Sequence, residues 1–185
     1  MTTLNGLPAH ILLVHAIVVL LPLAALLLVL SALWPAARRK LAGPNAVLSV
    51  LVLILVPITT DAGEWLERRV ASTPLVRTHT ELGDTAVYAA IAVAAVALVV
   101  WWRHREASGL AGAPAADRSG PGRFLNPRRT FLAPRSTTVT VVIAVVAILA
   151  AGASTYDIYR IGDSGAQATW QNQFSATPAP RSHNR

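Results

Sequence analysis

Seven residues of this chain combine chemical type and spacing in a way that could support chemistry: His10, His15, Asp61, Glu64, His79, Gly83 and Asp84. Imidazole changes charge near neutral pH and is the commonest protein ligand for metals. His15 or His10 on the first apolar stretch and His79 on the third could approach one iron from two sides as axial ligands of haem b, with Gly83 one turn from His79 leaving room for a flat ring. His10 with Asp61, Glu64 and Asp84 forms a weaker set for a divalent metal. His10 and His15 are five residues apart, so on one helix they point about 140° away from each other and are not expected to share an ion.

Each of these residues also has a plainer reading. Single histidines near a lipid boundary commonly snorkel or hydrogen-bond to a carboxylate. Asp61 with His15 could form an ion or proton site, because acids near lipid are costly, and Asp61 at a helix end could equally be a solvated charge. Arg77 and Glu81 are spaced for a surface ion pair, which fits a simple helix presenting a docking face. The GDSG run at Gly162–Gly165 spells a serine-protease nucleophile region, but the barrel of short strands and the partner histidine and aspartate are missing from the pattern. There is no glycine-rich phosphate loop followed by lysine, and no His-Glu-x-x-His pattern. With no cysteine, thiolate metal sites, disulfides and cysteine nucleophiles are excluded together.

The elements that must hold these residues are set by composition. Hydrophobic residues make up 54% of the 185 and charged residues only 14%, against about 25% charged in soluble domains. Ile11 to Trp34 forms one apolar run, with Pro22 expected to bend it and Pro35 to end it. After Arg38, Arg39 and Lys40, Gly43 and Pro44 open a second run from Asn45 to Thr60, which continues as helix towards Arg69. Ser72, Thr73 and Pro74 read as the cap and first turn of a third helix, running unbroken through His79 and Asp84 into Ala86 to Trp102. Ala86, Ala90, Ala94 and Ala97 allow close helix approach there. Thr137 to Thr155 is the fourth span, followed by a short amphipathic surface helix capped at Asp163 or Ser164.

Charge sets the expected orientation. The first and third connections hold ten Lys/Arg and two acids, whereas the amino terminus, the second connection and the carboxyl tail hold six Arg and seven acids. Basic loops stay cytoplasmic, so both termini and the acidic connector face outward. The connector is acid-rich: Asp61, Glu64, Glu67, Glu81 and Asp84 are five of the nine acids in the chain. The amino terminus lacks the positive start of a cleaved signal, so no cleavage is expected. The net charge of +7 lies at the ends of apolar runs without interleaved aromatics, which argues against nucleic acid.

Three stretches together, LPAHILLVHAIVVLLPLAALL, TTDAGEWLERRV followed by RTHTELGDT, and YRIGDSGAQATW, resemble the bacterial membrane-protein family catalogued as domain of unknown function 2231, especially its actinobacterial members. The resemblance covers about Leu7 to Trp170 and leaves out the arginine-rich loop and the tail. It implies a four-helix membrane domain without an established activity; some relatives are joined to Rieske iron-sulfur domains, which inclines the reading towards redox or haem. The family-like positions are His10, His15, Asp61, Gly63, Glu64, His79, Gly83, Asp84, Gly162, Ser164, Gly165 and Trp170. Relatives often carry histidine where this chain has Asp163, so a ligand role does not transfer to that position.

The expectation is therefore an all-α protein, a four-helix transmembrane bundle in the bacterial plasma membrane with both termini extracytoplasmic. Residues 1–102 hold helices one to three, with an outer connector at 61–84. Residues 103–136 form a cytoplasmic loop rich in Arg, Gly and Pro, 137–174 hold helix four and an outer-surface segment, and 175–185 form a disordered tail. The leading functional expectation is a non-enzymatic accessory or assembly protein of a respiratory or metal-handling system. The alternatives are a haem- or metal-binding electron-transfer protein and an ion translocator using Asp61. Expected partners are the lipid bilayer, other membrane or respiratory-chain proteins and, through the alanine-rich faces, further copies of the chain.

Overall fold

In the computed structural model, residues 3–4, 6–111, 131–132 and 136–171 are described. Apart from a two-residue antiparallel ladder between β1 (Thr3–Leu4) and β2 (Leu7–Pro8), the elements are helices: α1 (Ala9–Leu33), α2 (Pro35–Glu67), α3 (Pro74–Gly83), α4 (Ala86–Ala111) and α5 (Thr137–Trp170). Gly6 closes the ladder at φ +80°, a left-handed backbone that glycine adopts without a Cβ penalty. Four helical stretches are long and apolar enough to cross a membrane, α3 and α4 together counting as one.

The bundle buries mainly small residues with a few larger ones, and leaves many large apolar residues outside. Its core takes Leu21, Ala24, Ala25 and Leu28 from α1, Ala46, Ser49, Val52 and Val56 from α2, Ala90, Val93, Ala94 and Ala97 from α4, and Ala147, Ala151 and Ser154 from α5. These repeat at three- and four-residue intervals, the period of one helix face, and small side chains let the backbones approach closely. Val19, Leu26, Val47, Leu51, Ile54 and Leu149 are exposed. Water would penalise that surface, whereas lipid does not.

Four boundaries differ from expectation. Pro35 does end α1, by forcing Trp34 into an extended conformation, but it also serves as the first residue of α2. Arg38, Arg39, Lys40, Gly43 and Pro44 are consequently helical, and the second span begins ten residues earlier than its apolar run. The third span is broken at Asp84–Thr85, where Thr85 donates its backbone N–H to Leu82 O at 3.0 Å and its hydroxyl to the same carbonyl at 2.6 Å. Three consecutive weak helix formers, Gly83, Asp84 and Thr85, make that tightening cheap.

Residues 161–170 form no separate surface helix, and 172–174, the end of that expected segment, lie outside the described residues. α5 runs on to Trp170 because its buried positions Ala147, Ala151, Ser154, Ile158 and Ile161 keep one helical period past the apolar run. Asp163 and Ser164 lie mid-helix, Asp163 accepting from Gln167 Nε2 at 2.8 Å and Ser164 donating back to Ile161 O at 2.9 Å. The arginine-rich segment begins as helix, α4 extending to Ala111; the remainder of the expected loop, residues 112–130 and 133–135, and the tail from 172 lie outside the described residues. The cap at Thr73 is present: its hydroxyl accepts from Val76 N at 3.2 Å, with Pro74 next.

The antiparallel order gives the bundle two ends. The first turns of α1, the last turns of α2 and α5, and all of α3 meet at one, the histidine end, which carries His10, His15 and His79. The α1–α2 junction, the last turns of α4 and the start of α5 meet at the other, the arginine end, which carries Arg38, Arg39, Arg103 and Arg105.

Candidate functional site

At the histidine end, His10 leans from α1 onto α2. Its Nδ1 lies 3.0 Å from Thr59 O, and because a carbonyl only accepts, Nδ1 carries the proton. The ring rests on Gly63, where a Cβ would lie 3.0 Å from ring atoms. Thr59 is itself buried and fixed by its hydroxyl donating to Leu55 O at 2.9 Å.

His79 repeats the arrangement between α3 and α5. Its Nδ1 is 3.0 Å from Ser164 Oγ, whose own hydrogen goes to Ile161 O. Ser164 Oγ is thus left to accept, and His79 Nδ1 donates. A Cβ on Gly165 would meet His79 Cε1 at 2.9 Å, so only glycine allows the ring to lie this close to the helix. Burial holds the His79 pKa below the usual imidazole value; the like charge of a protonated His10 adds to the effect, and the Ile161 carbonyl opposes it. His79 is consequently a neutral imidazole at pH 7.

Two imidazoles thus have Nδ1–H engaged with oxygen and keep the Nε2 lone pair as the remaining donor. Fixing one ring nitrogen in this way orients a histidine for ligation at the other. His15 is exposed and its Nδ1 turns back to Ile11 O on its own helix, whereas His10 and His79 are each anchored to a neighbouring helix.

Of the other candidates, Gly83 is not required for packing, since a Cβ there meets nothing within 4 Å. Asp61, Glu64 and Asp84 are exposed. Glu64 faces Arg68 at 3.7 Å with both side chains exposed, and Arg77 and Glu81 do not pair. Among the described residues no carboxylate is fully buried, and no group of three or more His, Cys, Asp or Glu is disposed to hold a metal ion. Two clefts between α4 and α5 do not reach His10 or His79.

Sequence reasoning had marked Gly63, Ser164 and Gly165 only as family-like positions; their work as beds and anchor for the two rings comes from contacts 53 to 86 residues apart in the chain. It also missed the interhelical contact of Thr85 with Asp157, 2.9 and 3.0 Å to the two carboxylate oxygens. Glycine three or four residues from a polar residue near a helix end was the one available signal, and it is common in membrane helices for other reasons.

The class defined here is an all-helical protein with four helices suited to crossing a membrane and a pair of oriented histidines at one end. No family model, no curated protein and no solved structure matches the chain.

Proposed function

We propose that the protein is a non-enzymatic accessory or assembly protein of a respiratory or metal-handling system in the bacterial plasma membrane, akin to the family of unknown function 2231, with its histidine end and both termini outside the cell. The observation that carries this reading is the state of the acids. Asp61, Glu64, Glu81 and Asp84 all remain exposed around α3, where they form a charged collar suited to contact with another protein and not an enclosed site for turnover. The arginine end would face the cytoplasm, in keeping with the bias of basic residues.

A photoreactive residue at Asp61 or Glu81, with Val146 on the exposed face of α5 as comparison, tests the proposal in cells. The expected result is a discrete protein adduct from the collar and none from Val146. Collar positions that yield no adduct would remove the accessory reading.

The oriented Nε2 atoms of His10 and His79 favour one second reading, a membrane protein holding haem or a divalent metal for electron transfer. The residues offer two imidazole donors to either group. The visible spectrum and metal content of detergent-purified protein decide it. Bound metal or a Soret band that disappears in both His10→Ala and His79→Ala supports this reading, and a colourless, metal-free parent ends it.

A further inference from the structure

A lateral cleft of about 360 Å³ opens between α4 and α5, separate from the histidine pair. Its floor is Ala89, Ala92 and Ala153; Thr85 and Asp157 close its upper end, and Tyr88 and Tyr156 stand at the rim, 71% and 63% exposed. Asp157 lies 20 residues along α5 from Thr137, about 30 Å at 1.5 Å per residue, which is the thickness of a hydrocarbon core. The acid therefore sits at headgroup level and the alanines sit among acyl chains.

Hydrogen counting shows what this upper end lacks. Thr85 Oγ lies 2.6 Å from Leu82 O and 2.9 and 3.0 Å from Asp157 Oδ1 and Oδ2. One hydroxyl hydrogen faces three acceptor oxygens, and a hydroxyl donates once. Among the described residues no arginine or lysine pairs with Asp157: Arg160, one turn further along α5, is exposed and unpaired with it. A half-buried carboxylate with at most one shared donor calls for a cation that brings its own N–H groups. The tyrosine rings beside it suit the same cation through their π faces.

We propose that this cleft binds a phospholipid with a primary-amine headgroup, phosphatidylethanolamine in chemical terms. The ammonium donates to Asp157 between Tyr88 and Tyr156, an acyl chain lies over Ala89, Ala92 and Ala153, and the exposed Arg160 faces the phosphate. The shape alone would accept any lipid tail; the charge pairing selects the headgroup.

The test uses the full chain in detergent, titrated with phosphatidylethanolamine or with phosphatidylglycerol, and counts retained lipid by native mass spectrometry. Phosphatidylethanolamine should be retained about tenfold better, the factor expected of one charge-assisted hydrogen bond. Asp157→Asn, which keeps an acceptor for Thr85, should abolish that preference. Ala92→Leu, which fills the floor without touching the acid, should lower retention of the amine lipid, and Asp163→Asn, outside the cleft, should change nothing. Equal retention of the two lipids by the parent would overturn the proposal. So would an undiminished preference in Asp157→Asn, which would leave Asp157 with only its interhelical contact to Thr85.

Discussion

The two ends of the bundle fasten their helices by opposite means. At the arginine end charged donors close onto main-chain oxygens. Arg38 reaches back from α2 to Ser31 O at 2.8 Å and to Ala32 O at the end of α1, and Arg103, 6% exposed, ties α4 to Ser136 O at 2.9 Å and Thr140 Oγ1 at 2.8 Å on α5. At the histidine end neutral rings lie on glycine and donate through a single nitrogen. The guanidiniums spend their donors on holding helices together, and a positive charge at the carbonyl end of α1 is further favoured by the helix dipole. The imidazoles hold helices with one nitrogen and keep the other. Fastening at one end is purely structural, whereas at the other it leaves a reactive atom in place.

The contrast is sharpest for Arg38→Ala, which strips two charge-assisted bonds from the last turn of α1. Unfolding in detergent should show a loss of about 2–3 kcal/mol, with His10 and His79 undisturbed by NMR. A loss below about 0.5 kcal/mol would mean that the arginine end is held by packing alone.

At the other end Gly165→Ala should expel the His79 ring, because its Cβ would lie 2.9 Å from Cε1. Overpacking of this kind costs about 1–3 kcal/mol, partly offset by about 1 kcal/mol of helix propensity gained on replacing glycine. The diagnostic measurement is the imidazole titration by NMR, which should move up towards its ordinary value as the ring leaves the bundle. An unmoved titration would show that the helix gives way in place of the ring.

Ser164→Ala removes the acceptor for His79 Nδ1–H together with the serine's own bond to Ile161 O, and should cost about 1 kcal/mol. Acid should act on the same bond. The folded-state pKa of His79 lies below its unfolded value, so its stabilising contribution is full above about pH 6.5 and is lost as pH falls through that value towards the folded one. Stability measured across this window should decline in the parent and decline less in His79→Gln. The arginine clamps keep their charge throughout, so the α1–α2 junction should not respond.

The smallest effect is expected for Glu64→Gln. The Glu64–Arg68 pair is exposed and 3.7 Å apart, and such pairs contribute less than about 0.5 kcal/mol. A larger loss would mean that the acidic collar helps to hold the histidine end together, which would weaken the case for a surface reserved for a partner.

Sequence by itself determined the four spans, because a span is fixed by the length and uncharged composition of a local run and needs no knowledge of neighbours. The cap at Thr73 and Pro74 was legible for the same local reason. What only the tertiary structure decided was rotation and continuity. α1 is apolar around its whole circumference, so no periodicity marks its inward face, and both His10 and His15 were open to His79. Packing along Ala24, Ala25 and Leu28 fixed that rotation, turning His15 outward and bringing His10 to Gly63. The break at Thr85 and the unbroken run of α5 past Asp163 followed likewise from contacts across the bundle, Thr85 with Asp157 and Ser164 with His79, whose partners lie 72 and 85 residues apart in the chain.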